Sequence, residues 1–483
     1  MWCYVAVLCG AKWLGLIFDV LCLNGEGCNL ELTGSTMGRD VYLMVSRKLP
    51  PKKGGRLTLH TDSRLMPHKT LQEQGIVGAV TLCCTYVPTD LYAAWCYIKG
   101  FPVDEGELAL EGVTEIEIEN GSTTGCEYMH NLPKSLKSLK FDCNQSLEGV
   151  TLPTSLQSST FGRSFNQSLE WVALPTSLQR LTFSCGCVER ARLPSSVQSL
   201  TFGQLFNQSL ERVTLPSNLQ SLTFGAHFNQ SLQGVILPSS LQNLAFGDGF
   251  NQSLQEVTLP SSLRSLTFGQ CFNQSLQGVA LPSNLQNLTF GRNFNQSWQG
   301  VTLPSSLQNL TFGWNFNQSL EGVSLPSNLH SLTFGARFNQ SLQGVILPSS
   351  LQNLTFGRNF NQSWQGVTLP SSLQNLTFGC DFNQSLEGVT LPSSLQNLTF
   401  GCDFNQSLEG VSLPSSLHSL TFGHSFNQSL QGVALPSSLQ NLIFGNGFNH
   451  SLQGVTLASG LQRLLLSSIL VSCMWFADIA LND

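Results

Sequence analysis

Residues 301–322 read VTLPSSLQNLTFGWNFNQSLEG, and this one unit decides the fold. Val301 and Leu303 alternate with polar Thr302, and Pro304 ends that short extended run. Leu307, Leu310 and Phe312 follow, with Asn309 and Thr311 interleaved. Gly313 then breaks the chain, Phe316 brings back an apolar group, and Leu320 closes the turn before Gly322. Alternation of apolar and polar residues is the pattern of a strand with one buried face. The spacing predicts two short strands per unit, at about 301–303 and 310–312.

The unit recurs through most of the chain. Its proline returns every 22 residues from Pro194 to Pro436, and Ala458 takes the proline's place one step later. Upstream, Pro133, Pro153, Pro175 and Pro194 are separated by less regular steps of 20, 22 and 19. A fixed period of this length, with leucines at set offsets, is the signature of a solenoid of the leucine-rich-repeat kind. Stacked identical coils place each strand beside its copy about 4.8 Å away, so sixteen coils would extend on the order of 75–80 Å. One coil cannot bury its own Leu and Phe side chains, so the array folds as a unit.

An Asn follows the second Phe in every regular coil, at Asn207, Asn229, Asn251, Asn273, Asn295, Asn317, Asn339, Asn361, Asn383, Asn405, Asn427 and Asn449. Repeated in register, its side chain can bond backbone groups that the turn leaves unpaired, which reads as a structural ladder. Most of these Asn also lie in Asn-Gln-Ser sequons. A buried ladder residue could not accept a sugar, so the repeat alone accounts for them.

The pattern resembles the FNIP repeat family, a branch of leucine-rich-repeat-like solenoids. Leu303–Pro304, Leu307, Leu310, Phe312 and Gly313 match its Leu-Pro-x-Ser-Leu-x-x-Leu-x-Phe-Gly run, while Phe316–Ser319 reads FNQS in place of Phe-Asn-Ile-Pro. The resemblance covers about 131–463. It implies a protein-interaction scaffold and carries no catalytic residue across.

Residues 1–100 differ in composition. The run LIFDVLCLNGEGCNLEL (16–32) predicts two strands joined at Asn24–Gly25. Val41, Met44 and Val45 share one helical face in a segment from Met37 to Lys48, which Pro50 and Pro51 stop. Strands are predicted at Arg56–Leu59 and Ala79–Tyr86, with a short turn at Thr70–Gln74 between them. This order, and the pieces LNGEGCNLEL, SRKLPPKKGGRLTL and KTLQEQGIVGAVTLCCTYV, resemble ubiquitin over 15–87. The resemblance implies a β-grasp domain and receptors of the ubiquitin pathway as partners. No Gly-Gly follows the last strand, so conjugation to substrates is not implied. Thr58, Thr81 and Cys83 stand where ubiquitin carries larger contact groups.

The expected class is therefore α+β: a β-grasp domain followed by a mainly β solenoid of 22-residue coils. The division is 1–14 as an apolar extension, 15–87 as the ubiquitin-like domain, and 88–130 as a linker and acidic cap holding Asp104 to Glu119. The solenoid takes 131–463, and 464–483 forms an apolar C-terminal cap.

The 483 residues carry a net charge of −6, and only 11% are charged. Phosphate neutralisation needs clustered Lys and Arg, so nucleic acid is not an expected partner. Fifteen cysteines at irregular spacing make no disulfide framework, which favours a reducing, intracellular compartment, the cytoplasm. Cys185 and Cys187 form a lone C-x-C without matching ligands, so no metal is expected. Cys380 and Cys402 occupy equivalent places in adjacent coils. No P-loop, dinucleotide fingerprint or nucleophile elbow is present, so neither an enzyme nor a cofactor is expected. Apolar runs at either end are too short or too interrupted to span a bilayer.

The coils differ mainly at two positions after the strand glycine. From these the candidate partner-binding residues are Arg292, Trp314, Arg337, Arg358, Asp381, Asp403 and His424. A fixed scaffold with adjacent variable surface positions is how repeat proteins vary their binding surfaces. Turn positions free to drift after duplication would show the same variation, and the sequence leaves both readings open. Two functions are therefore expected to compete. One is an interaction scaffold holding other proteins on the solenoid, tied to ubiquitin-processing or proteasomal machinery. The other is an array that associates with itself through exposed strand edges.

Overall fold

Leu310 is wholly buried at the centre of a three-residue strand, Asn309–Thr311, whose Asn and Thr remain half-exposed. That arrangement repeats down the chain in the computed structural model. The structure describes the strand residues 2–5, 16–21, 27–32, 56–60 and 82–87, together with 114–118, 132, 134–142, 144, 146–184 and 191–466. These divide into two units, one of Met1–Ser159 with Trp171–Ser177, the other of Thr160–Glu170 with Leu178–Asp483.

The first unit begins with β1 (Trp2–Val5), β2 (Leu16–Leu21), β3 (Gly27–Leu32), β4 (Arg56–His60) and β5 (Leu82–Val87). β2 and β3 pair antiparallel from Leu16↔Leu32 to Leu21↔Gly27, and β4 pairs antiparallel with β5. Among the described residues these strands do not join into the single sheet expected of a β-grasp domain. β5 takes β1 as its other neighbour, antiparallel, while β2 and β3 stand as a separate two-stranded sheet. Trp2–Val5, expected within an extension, is thus a strand; its aromatic and β-branched residues suit that state. The expected helix at 37–48, the turn at 70–74 and the Asn24–Gly25 link lie outside the described residues. Among the described residues there is no helix.

Part of the acidic stretch expected as linker and cap enters the ladder. β6 (Glu115–Ile118) pairs in parallel with β7 (Ser138–Phe141), burying Ile116 while Glu115 and Glu117 stay exposed. Lys140 donates to Glu117 from the neighbouring strand.

The second unit is a stack of coils with one strand each. Its parallel register sets Leu beside Leu, from Leu200↔Leu222 through Leu310↔Leu332 to Leu442↔Leu464. The strand expected at 301–303 is absent. Val301 N–H turns back within its own coil to Trp298 O at 3.1 Å, and Pro304 has no N–H to offer a ladder. The coils are knitted on this side by side chains instead: Ser306 Oγ donates to Leu285 O at 2.7 Å, and Asn328 Nδ2 to Ser305 O at 2.9 Å.

Two columns of Phe fill the interior. Within a coil the rings lie close, as at Phe312–Phe316 with centroids 3.8 Å apart. Between coils, the column of Phe312 steps by 5.6 Å to Phe334, and the column of Phe316 by 6.0 Å to Phe338. Backbone strands step by about 4.8 Å. Each ring thus lies over its copy in the next coil, nearly parallel to it. Trp298 and Trp364 replace the usual Leu and lie edge-on to the Phe rings at 78–90°. They spread the adjacent rings to 6.0 and 5.9 Å.

The turn after most Ser-Leu-x runs ends on glycine in the left-handed region, as at Gly322 with φ 75°. Trp171, Arg212 and Glu256 stand at this place in their coils, and of these Glu256 alone takes a positive φ, 63°. A side chain there costs about 1 kcal/mol or more. Glu256→Gly is expected to stabilise the protein by about 0.5–1 kcal/mol in urea denaturation, after the entropy glycine adds to the unfolded chain. Glu256→Ala, which keeps the strain, should give no gain.

Candidate functional site

The two variable positions of each coil sit on a backbone ladder that the sequence does not announce. Asn315 N–H donates to Arg292 O at 2.8 Å, Arg337 N–H to Trp314 O at 2.8 Å, and Asn359 N–H to Ala336 O at 2.7 Å. The series runs without a break from His227 N–H on Gln204 O to Gly447 N–H on His424 O. Turn is thus bonded to turn from 204 to 447, and the variable side chains stand on a rail of fixed spacing. No composition or periodicity signal could have shown this, because the bonding is between main-chain groups of residues whose types change.

Arg292, Arg337, Arg358, Asp403 and His424 are exposed on this rail, and Trp314 and Asp381 are half-buried. Arg292 lies over the Trp314 ring at 5.5 Å from its centroid, an exposed cation–π contact worth roughly 0.5–1 kcal/mol. Asn315 Nδ2 donates to Asn293 Oδ1 at 2.9 Å, and Asn359 Nδ2 to Asp381 Oδ2 at 2.8 Å. Arg358 approaches Asp381 only to 3.8 Å, an exposed pair worth under about 1 kcal/mol. Cys402 and Cys380 bring their sulfurs to 3.4 Å. Burial pushes the Cys380 thiol up from its ordinary value. A hydrogen bond from the Cys402 backbone and the Arg358 charge pull it the other way.

Exposed Asp248 lies early on the rail, and from 292 to 403 the charges fall in order. Cations and the indole occupy 292–358, and carboxylates follow at Asp381 and Asp403. Among the described residues no cluster of His, Cys, Asp and Glu is placed to hold a metal. Cys185 and Cys187 lie outside the described residues.

The Asn column runs beside the rail. Each Asn Oδ1 from Asn207 to Asn427 accepts from the backbone N–H of the Asn one coil on, at 2.8–3.0 Å. The Gln that follows that Asn adds a second donor, as Gln340 Nε2 does to Asn317 Oδ1 at 3.1 Å. These Asn are half-buried or exposed rather than buried as expected, because the column lies just outside the second Phe column. Ile236 and Ile346, 87% and 84% exposed, stand on the run between two turns where most coils carry Thr, Ser or Ala. Two isolated apolar residues at a polar repeat position were the sequence signal for them.

The FNIP repeat pattern matches residues 143–186, 190–227, 228–271, 272–315, 294–337, 338–381, 360–403, 382–425, 404–447 and 426–457, well over half of the chain. No curated protein matches. Among solved structures, the crystal structure of CroV588, described as a novel circular LRR protein, is similar with 47% identity and a TM-score of 0.64. The match covers 69% of this chain and 50% of that one, so the chain spans about half the length of that protein. Among the described residues, no helix is long and apolar enough to cross a membrane.

Proposed function

The chain belongs to the FNIP repeat family, and on that footing we propose that it is an interaction scaffold whose rail holds a protein partner. The observation that carries this reading is the unbroken turn-to-turn ladder beneath side chains that change from coil to coil. Fixed spacing lowers the ordering cost of binding, and varied groups supply the chemistry of recognition. Arg and Trp, concentrated at 292–358, are the residue types that dominate protein interfaces. The similar solved protein is described as circular. In this reading the protein works inside the cell, and no cofactor or catalytic step enters it. A ubiquitin-like module at 15–87 would add a dock for ubiquitin-processing or proteasomal machinery; that arm rests on sequence resemblance alone.

Capture from a lysate of the source cells tests the reading, with the full chain as bait beside a full-chain variant carrying Arg292→Ala, Arg337→Ala and Arg358→Ala. All three side chains are exposed, and the contacts of Arg292 with Trp314 and of Arg358 with Asp381 are weak, so the loss of stability should stay within about 2 kcal/mol and the variant should fold. The expected result is a set of proteins recovered by the parent and lost by the variant. Equal recovery by both would move the binding surface off the rail.

A further inference from the structure

We propose that the stretch of rail from Trp314 to His424 pairs with the same stretch of a second copy of this chain, related by a two-fold axis. This rests on the reading of the rail as an interaction surface and names one partner for it.

The argument begins from charge order. Arg337 and Asp403 occupy the same rail column and are both exposed. They lie three coils apart, about 14 Å at ladder spacing, too far to meet within one chain. Among the described residues neither makes an ion pair. Put the two-fold axis midway between the coils of Asn359 and Asp381, across the rail. Coil order then reverses from one copy to the other while each column still faces itself. Arg337 meets Asp403 of the second copy, and Asn359 meets its Asp381. Trp314 meets its His424, ring against ring. Each contact is made twice, as a self-complementary interface requires.

The alternative parallel arrangement would set Arg337 near Arg337 and Asp403 near Asp403. The order of charges thus selects the reversed pairing. The rail suits such a match because its spacing is fixed in both copies, so registering one pair registers the others. Since the charges are exposed, the attraction is screened, and the dimer should weaken as salt rises.

Sedimentation velocity on the full chain tests this across a concentration series at low and high salt. The expected result is a concentration-dependent dimer at low salt that dissociates at high salt. Arg337→Asp or Asp403→Arg alone should weaken it by about tenfold or more, by making like charges face each other. The double variant Arg337→Asp/Asp403→Arg should restore it. Melting curves identical to the parent would show that the variants fold, and Arg337→Gln with Asp403→Asn gives a milder second pair of singles. A chain that stays monomeric, a dimer indifferent to the single changes, or a double variant no better than the singles would overturn the proposal. A failed dimer leaves the lysate capture standing, since that result depends on other proteins.

Discussion

Gly313→Ala is expected to cost at least about 4 kcal/mol and to break the cooperative unfolding of the central coils. A Cβ built on Gly313 would overlap the carbonyl of Gly291, both its O and its C, and would meet Phe290 O at 2.9 Å. All three atoms are backbone, and Gly291 is bound into its own coil, so nothing nearby can swing aside. The repeated approach, coil upon coil, explains why this glycine never varies from Gly203 to Gly445. Gly322→Ala supplies the comparison within the same coil. There the nearest atoms to an added Cβ are the flexible end of Gln299 at 3.8 and 3.9 Å, so only the left-handed φ of 75° is penalised. That change should cost about 1 kcal/mol or somewhat more. Urea denaturation followed by circular dichroism separates the two. Equal costs would show that the stack can open at the strand glycine, against the packing described here.

Phe312→Ala should cost about 3–5 kcal/mol. The ring is almost wholly buried and stacks on Phe316 at 3.8 Å, on Phe334 at 5.6 Å and on Phe290 at 6.0 Å, with Trp298 edge-on at 5.1 Å. No small shift refills that space, because each neighbour is held in its own column. Phe448, near the end of the described coils, is half-exposed, and among the described residues its ring partners are Phe444, Phe426 and His450. Phe448→Ala should therefore cost clearly less than Phe312→Ala. The same denaturation experiment reads the difference, and similar losses at both sites would contradict a core built from neighbouring coils.

Much of the solenoid was legible in the repeat itself. Leu310 and Phe312, alternating with Asn309 and Thr311, mark the strand, and the 22-residue step sets its parallel register. The run Val301–Leu303 alternates equally well yet forms no ladder. Alternation reports which side chains are buried, whereas a ladder also needs donors, and here Val301 N–H is spent within its coil and Pro304 lacks one. The second ladder lies instead under the variable turns, where side-chain type carries no information about main-chain bonding. At the N-terminus, β2, β3, β4 and β5 fall close to where the alternation put them. Their pairing depends on contacts far apart in the chain, and β1 took the place beside β5. The seven candidate residues could be found because they break the repeat. That Arg337 and Asp403 share a column was visible too, but the fixed spacing between them required the structure.

Amide hydrogen exchange at Asn315 and Arg337, measured on the full chain under native conditions, tests the central claim most directly. Both residues sit on surface turns, yet each N–H is bonded to the turn before it at 2.8 Å. A rigid rail predicts that these amides exchange about as slowly as that of Leu310 within the strand, opening only when coils separate. Exchange near the rate of a freely exposed loop would show that the turns move independently, and the rail would cease to be a scaffold for recognition.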